Sequence, residues 1–157
     1  MISGYLNLEH VSKSFQTPRG QFVAVHDVSL EVTHGQIVSL IGHSGCGKST
    51  VLSMIAGLTT PSEGTISLDG VEIKGPGPDR GVVFQNYSLL PWMSVWDNVY
   101  EAVDSAASGL DKAEKRERVE HFLRMVKLWD HRHKRPNQIS GGMKQRVAVA
   151  RAFSVHP

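Results

Sequence analysis

Residues 42–50 read GHSGCGKST, which fits the phosphate-loop pattern Gly-x-x-x-x-Gly-Lys-Ser/Thr. The run before it, residues 36–41, is short, apolar and rich in branched side chains, which predicts a buried parallel strand. Residues 48–56 after it predict a helix that Gly57 ends. A strand, a glycine-rich turn and a helix, in this order, are the context that the pattern requires.

Each residue type in this loop has a physical reason to be there. Gly42, Gly45 and Gly47 allow a close backbone approach that a Cβ would block, so successive N–H groups can point at phosphate oxygens. Lys48 supplies a mobile positive charge near the β and γ phosphates, and the Ser49 hydroxyl is placed to bind magnesium. The positive end of the helix dipole faces the same anion. The alternative, a glycine-rich turn with an incidental lysine, does not explain the flanking strand and helix patterns.

The composition is that of an ordinary soluble globular protein: 157 residues, 40% hydrophobic and 20% charged. A formal charge of +2 gives no electrostatic argument for a nucleic-acid partner, and the basic stretch at residues 127–135 is interrupted by Asp130. The single cysteine, Cys46, excludes an internal disulfide and fits a reducing compartment. No apolar run approaches the roughly 20 residues of a membrane helix, and no signal pattern opens the chain. These features predict a cytosolic protein, unless a partner holds it at a membrane.

Two regions of the chain predict antiparallel strands. Residues 5–15 and 22–32 alternate apolar and polar side chains, and Pro18, Arg19 and Gly20 between them predict a turn. Asp69-Gly70, between the short apolar runs 65–68 and 71–73, predicts a second hairpin.

Beyond the irregular stretch GPGPD, residues 82–84 predict a second short buried strand, and the chain then becomes helical. Ser94 with Asp97, and Asp111 with Glu114, predict the starts of two helices. A last helix is predicted for residues 141–153.

Three further groups of residues are candidates for function. Gln85 follows the predicted strand 82–84, at a strand end where a glutamine could reach magnesium or its water. The apolar segment that follows, residues 87–92, is interpreted either as a partner surface or as a satellite of the core. Ser140 can cap the last helix, and Gly141 with Gly142 exposes N–H groups there, either as a second anion site or as an ordinary helix start.

Three segments in sequence order resemble the Walker A, Q-loop and signature motifs of the nucleotide-binding subunit of ATP-binding cassette (ABC) transporters: GHSGCGKST, VFQNYSLLPW and ISGGMKQRVAVARA. The chain looks most similar to the importer branch for nitrate, bicarbonate, sulfonate and taurine. GPGPDR at residues 75–80, QNYSLLPW and a methionine at the fifth signature position carry this finer resemblance. It implies an α/β P-loop NTPase fold of the ABC type, with an antiparallel β portion, a phosphate-loop core and a helical portion that carries the signature.

The resemblance implies that the chain binds ATP with magnesium. Phe15 matches the aromatic residue that stacks on adenine, with a strand core residue as the alternative. Gln85 would sense the γ-phosphate and would hold magnesium together with Ser49. The ATP contacts of the loop would be Gly42, His43, Ser44, Gly45, Cys46, Gly47, Lys48, Ser49 and Thr50, with no catalytic role for His43 or Cys46.

Ser140, Gly141 and Gly142 would contact ATP bound to the other subunit of a head-to-tail dimer. Ile139 and Met143 replace the commoner leucine and glutamine of the signature, and neither replacement removes a phosphate donor.

One family motif is missing from the sequence. In the family, the signature helix leads to an apolar strand that ends in Asp-Glu, and a later histidine contacts the γ-phosphate. No run of four apolar residues followed by Asp-Glu occurs in the 157 residues. We therefore expect residues 5–157 to be the N-terminal part of a cassette domain, truncated before the Walker B strand, and to hydrolyse ATP poorly or not at all as given.

The resemblance also implies partners and a location. They are a second nucleotide-binding subunit, identical or different, and transmembrane permease subunits contacted through residues 85–92. A periplasmic-type solute-binding protein acts indirectly, and no nucleic acid is involved. The chain would lie at the cytoplasmic face of the membrane and drive import of a small oxyanion. The alternatives are a non-transport ABC-type ATPase, of the DNA-repair or translation kind, and a non-hydrolysing ATP-binding module. The short stretch between Gln85 and Ser140 leaves no room for the long insertions common in the first of these.

Overall fold

The computed structural model describes residues 4–18, 20–106 and 109–155. It divides into two compact units, the first ending at Gly77 and the second beginning at Pro78. The first unit carries the phosphate loop, and the second carries Gln85 and the signature sequence.

An antiparallel sheet forms most of the first unit. Its strands are β1 (Leu6–Thr17), β2 (Gly20–Val32), β3 (Glu63–Leu68) and β4 (Val71–Glu72), in the spatial order β2-β1-β3-β4. Both predicted hairpins are therefore confirmed. In the first hairpin Thr17 pairs with Gly20, whereas Arg19 of the predicted turn lies outside the described residues.

Helix α1 (Lys48–Ile55) follows the phosphate loop and packs its buried side onto this sheet. The apolar core between them consists of Leu8, Val11, Val25, Val51, Met54, Ile66 and Ile73. Gly57 has a φ of 73° and ends the helix as predicted. Helix α1 thus anchors the C-terminal end of the phosphate loop to the sheet.

The strand predicted for residues 36–41 is wrong. This segment follows β2 without regular structure, and its side chains are exposed: Ile37 by 92% and Ile41 by 93%. A buried parallel strand needs hydrogen-bonded neighbours and apolar cover on both faces. Within the described part of the chain no strand pairs with residues 36–41, so the apolar composition alone does not produce one.

Three helices form the second unit: α2 (Val95–Ala106), α3 (Lys112–Met125) and α4 (Gly141–Phe153). Short 3₁₀ turns at Trp129–His131 and Pro136–Gln138 lead from α3 to α4. All three helices start where the sequence predicts. Their facing sides enclose a core of Val95, Val99, Val103, Val119, Leu123, Leu128, Ile139, Val147 and Ala150.

The strand predicted for residues 82–84 is wrong as well. Val82, Val83 and Phe84 are each exposed and form no ladder with any strand in the described residues. Gln85 consequently lies in a turn rather than at the end of a sheet strand. No helix in the described ranges is long and apolar enough to cross a membrane.

Candidate nucleotide-binding site

The phosphate loop curls around the ammonium group of its own lysine. Lys48 Nζ donates hydrogen bonds to the carbonyl oxygens of Gly42 at 2.8 Å and His43 at 2.6 Å, and lies 3.3 Å from Cys46 Sγ. The His43 ring lies against the next residue, with Nδ1 at 2.8 Å from the Ser44 carbonyl oxygen. Because Lys48 is the first residue of α1, its charge sits where the positive end of the helix dipole also acts.

Gly47 is the residue that sets how the loop enters α1. It is the N-cap of the helix with a φ of 91°, a left-handed conformation that glycine adopts at no steric cost. A Cβ at this position would lie 2.5 Å from the Ala24 carbonyl oxygen of β2. The close packing of the loop against the sheet therefore requires glycine here.

The N-terminus of α1 differs from those of α3 and α4. Asp111 caps α3, and its carboxylate accepts from the N–H groups of Ala113 and Glu114. Ser140 caps α4, and its hydroxyl accepts from Met143 N–H. No side chain caps α1 among the described residues. Uncapped N–H groups at a helix start suit an anionic ligand such as phosphate.

A cleft of about 190 Å³ joins the loop to the first hairpin. Its lining residues are Phe15, Phe22, Ala24, Gly45, Gly47, Lys48, Ser49 and Thr50. Phe15 pairs with Phe22 across β1 and β2, and the two rings are 41% and 54% exposed. The predicted adenine-stacking residue thus lies in the same cleft as the loop, with an apolar surface free for a flat ring.

The residues of this cleft fit a magnesium nucleotide. Ser49 places a hydroxyl, an oxygen ligand of the kind that magnesium binds, next to Lys48. Lys13 adds a second positive charge, with Nζ 5.3 Å from the centroid of the Phe15 ring. The cleft therefore combines a π surface, the Lys48 cation and a hydroxyl with an uncapped helix start, and Lys13 lies near the Phe15 ring without lining the cleft.

Gln85 lies in a tight turn of the second unit. Tyr87 N–H donates to the Phe84 carbonyl at 3.0 Å, and this bond closes a turn around Gln85 and Asn86. Tyr87 and Ser88 follow with φ values of 63° and 46°, both left-handed. The Gln85 side chain is exposed at the tip of this turn.

The signature residues open α4 as predicted. Ser140 Oγ accepts from Met143 N at 3.3 Å, and Gly141 with Gly142 forms the exposed first turn of the helix. At the other end of α4, the Arg151 guanidinium donates to the Ser88 carbonyl at 2.6 Å and to the Tyr87 carbonyl at 3.3 Å. Partial burial lowers the pKa of Arg151 through desolvation of its charged form.

The sequence pattern of the ABC transporter family matches residues 25–157, so the chain belongs to the ABC transporter family. Among its relatives, a nitrate import ATP-binding protein of Synechococcus elongatus is 54% identical and aligns with 99% of the chain and 57% of its own length. A bicarbonate transport ATP-binding protein of the same species is 52% identical, with 98% of the chain and 55% of its own length covered. A nitrate transport protein of Klebsiella oxytoca is 50% identical, with 97% and 58% covered. The chain therefore spans about half the length of these relatives.

Solved structures agree with this assignment. A dimeric ATP-binding cassette bound to ADP and phosphate superposes with a TM-score of 0.87 at 32% identity, over 97% of this chain and 70% of that one. The α/β cassette fold predicted from the three motifs is confirmed over the part of the cassette that this chain spans.

Several residues that shape the site escaped the sequence reasoning. Phe22 and Ala24 line the cleft, and only the facing alternation of the two strands hinted that Phe22 pairs with Phe15. Asn98 and Arg151 hold the segment after Gln85 through backbone carbonyls. Local sequence carries no signal for the Arg151 contact, because its partner lies 64 positions away along the chain.

Proposed function

We propose that the chain is the ATP-binding portion of an ABC importer's ATP-binding subunit, which couples ATP binding and hydrolysis to the import of a small oxyanion. The observation that carries this proposal is the cleft in which Phe15 and the phosphate loop meet. The names of the nitrate and bicarbonate relatives support the oxyanion class.

In this proposal each residue of the cleft contributes one interaction. Phe15 stacks on the adenine ring, and the N–H groups of Gly45, Gly47 and Lys48 donate to phosphate oxygens. On binding, the Lys48 ammonium exchanges its two carbonyl contacts for phosphate oxygens, a charge-assisted interaction. Ser49 would hold magnesium, with Gln85 as a second proposed ligand, and the metal would supply positive charge to neutralise the phosphates.

The second unit supplies the other half of a paired site. We place Ser140, Gly141 and Gly142 at the ATP of a second nucleotide-binding subunit, where the capped start of α4 faces the γ-phosphate. The dimeric cassettes among the solved neighbours support this arrangement. Transmembrane permease subunits contact residues 85–92, which holds the subunit peripherally at the cytoplasmic face. A solute-binding protein outside the membrane selects the oxyanion.

Substitution of the loop lysine tests the nucleotide site. Lys48→Ala removes a charge-assisted contact, so ATP binding should weaken by about 2 kcal/mol or more, which is about thirtyfold in affinity. Calorimetric titration of Mg-ATP into the longest form that the gene encodes measures the change.

Lys74→Ala is the matched control, because Lys74 is an exposed lysine of the first unit that does not line the cleft. Its ATP affinity should equal that of the unsubstituted protein. An unchanged affinity for Lys48→Ala would overturn the phosphate-loop assignment and the proposed function with it.

A further inference from the structure

The last turn of α4 is tied to the segment that follows Gln85. Arg151 donates one hydrogen bond to the Ser88 carbonyl at 2.6 Å and a second to the Tyr87 carbonyl at 3.3 Å. These residues are more than sixty positions apart in sequence, so the contact exists only in the folded unit. A planar guanidinium suits it, because its fork can reach two neighbouring acceptors at once.

The backbone that Arg151 holds is strained. Tyr87 and Ser88 are consecutive non-glycine residues with φ values of 63° and 46°. Residues with a Cβ disfavour this region, and they remain in it when surrounding contacts hold them there. Both carbonyls that accept hydrogen bonds from Arg151 belong to these two residues, so the guanidinium contacts the strained backbone directly.

The held segment is continuous with the turn around Gln85. Tyr87 N–H closes that turn onto Phe84, and Ser88 Oγ donates to Asn86 Oδ1 at 2.8 Å. A movement of Tyr87 or Ser88 therefore moves the turn that presents the Gln85 side chain.

The same segment also reaches the opposite end of α4. The Tyr87 hydroxyl lies 3.5 Å from where a Cβ of Gly141 would stand, beside the first residue of the helix. The Tyr87 hydroxyl thus lies beside the start of α4, and the Tyr87 carbonyl accepts a hydrogen bond from Arg151 in the last turn of α4. Since α4 begins with the signature glycines, one tyrosine links both functional segments of the second unit.

We propose that Arg151 is a positioning residue that locks the turn carrying Gln85 onto the signature helix α4, so that the two segments move as one body during turnover. This inference rests on the proposed function, because it assigns Gln85 and the signature to one reaction. Arg151 touches neither nucleotide nor metal in this proposal and acts only through the Tyr87–Ser88 backbone. Its partial desolvation favours hydrogen bonds to carbonyl oxygens, which replace the lost water.

The test compares Arg151→Lys and Arg151→Met with the matched control Arg116→Lys on the exposed side of α3. Each is made in the longest form that the gene encodes and in the transport complex. Lysine keeps the charge but lacks the planar, rigid pair of donors of a guanidinium and ends one atom group shorter, and methionine cannot donate at all. The readouts are kcat, KM, ATP affinity, melting temperature and amide hydrogen exchange of residues 85–90.

We expect Arg151→Lys to lower kcat about tenfold while KM and ATP affinity stay within about twofold, since the turn is misplaced and the cleft is intact. Exchange of the 85–90 amides should rise in both Arg151 variants, and kcat should fall further in Arg151→Met. Arg116→Lys should match the unsubstituted protein in every readout. If Arg151→Met does not fold, Arg151→Lys decides alone.

Unchanged exchange at residues 85–90 would overturn the lock, and faster exchange with unchanged kcat would overturn its role in turnover. A parallel loss of kcat, ATP affinity and melting temperature would reduce Arg151 to a general structural role. Failure of the proposed function looks different: the unsubstituted protein would neither bind nor hydrolyse ATP, whereas the exchange measurement would still report on the lock.

Discussion

Gly45 and Gly47 lie two residues apart in the phosphate loop, and both have positive φ values, 81° and 91°. Their surroundings differ. A Cβ at Gly45 would meet nothing within 4 Å, whereas a Cβ at Gly47 would lie 2.5 Å from the backbone oxygen of Ala24. An alanine at Gly45 would therefore meet only the strain of a left-handed backbone, whereas an alanine at Gly47 would meet that strain and a steric clash.

Alanine substitutions at these positions should differ in their effect on stability. Gly45→Ala should lower the free energy of unfolding by about 1 kcal/mol, the cost of a left-handed L-residue. Gly47→Ala should lower it by about 3 kcal/mol, because β2 or the loop must also shift. Urea unfolding of both variants measures the difference, and equal losses would contradict the close approach of the loop to β2.

Cys46 reports directly on occupancy of the loop, because its thiol is exposed and lies beside Lys48 Nζ. Bound Mg-ATP should shield it from alkylation. With ATP at ten times its dissociation constant, labelling by a maleimide should slow about tenfold, in proportion to the remaining free protein. The same ATP concentration should protect Lys48→Ala much less. Equal labelling rates with and without Mg-ATP would mean that the nucleotide does not occupy the loop.

At the scale of elements, capping residues within a few positions explain where the helices start. They do not explain the conformation of the segment that precedes α2. Ser94 and Asp97 form reciprocal hydrogen bonds at the start of α2, and Asp111 and Glu114 form a full capping box on α3. The segment before α2 is instead held by Asn98. Its side chain is buried, donates to the carbonyls of Leu90 at 3.1 Å and Ser94 at 2.9 Å, and accepts from Leu90 N–H at 2.8 Å.

Replacement of Asn98 should lower the free energy of unfolding, although its side chain carries no charge. Asn98→Leu keeps a similar volume but leaves buried backbone groups without partners, so the free energy of unfolding should fall by about 2 to 3 kcal/mol. Denaturant unfolding measures this loss. Asn137→Leu, at an exposed position, is the control and should change stability little. A small effect of Asn98→Leu would show that water replaces its hydrogen bonds.

At the scale of the whole molecule, the apolar segment after Gln85 has two parts with different surroundings. Leu89 packs against the core of the second unit, whereas the Trp92 side chain is 65% exposed. The two interpretations of this segment, core satellite and partner surface, therefore apply to different residues. An exposed tryptophan three residues after a partly buried anchor is an arrangement that suits a partner contact.

A charge at Trp92 should separate folding from assembly. Trp92→Glu should leave ATP affinity and melting temperature nearly unchanged while abolishing co-purification with the permease subunits, because a carboxylate is not accommodated in an apolar contact. Met125→Glu, at another exposed apolar position, is the control and should co-purify normally. Leu89→Glu should unfold the second unit. If Trp92→Glu still co-purifies with the permease subunits, the proposed permease contact through Trp92 is wrong.

Most of the fold in each unit was predictable from sequence, because its signals are local. The two hairpins, α1 and the starts of α2, α3 and α4 depend on alternation, helical spacing, glycine and capping residues within a few positions. The loop and the Ser140 cap were predicted for the same reason, whereas Phe15 was assigned through the resemblance to the ABC family. Residues 36–41 and 82–84 were predicted wrongly, since a strand also needs a neighbour to pair with.

The sequence by itself determined the phosphate loop, the order of its motifs and the family, because glycine, lysine and serine at fixed spacing have few other physical uses. Only the tertiary structure placed Phe22 and Ala24 beside the loop, buried Asn98, and brought Arg151 to the strained backbone at Tyr87. The contacts of Phe22, Ala24 and Arg151 join positions far apart in sequence, whereas those of Asn98 need the fold of the nearby residues 90–94. Their free energy comes from packing and hydrogen bonds that exist only once the chain has closed the intervening loops, so no local pattern encodes them.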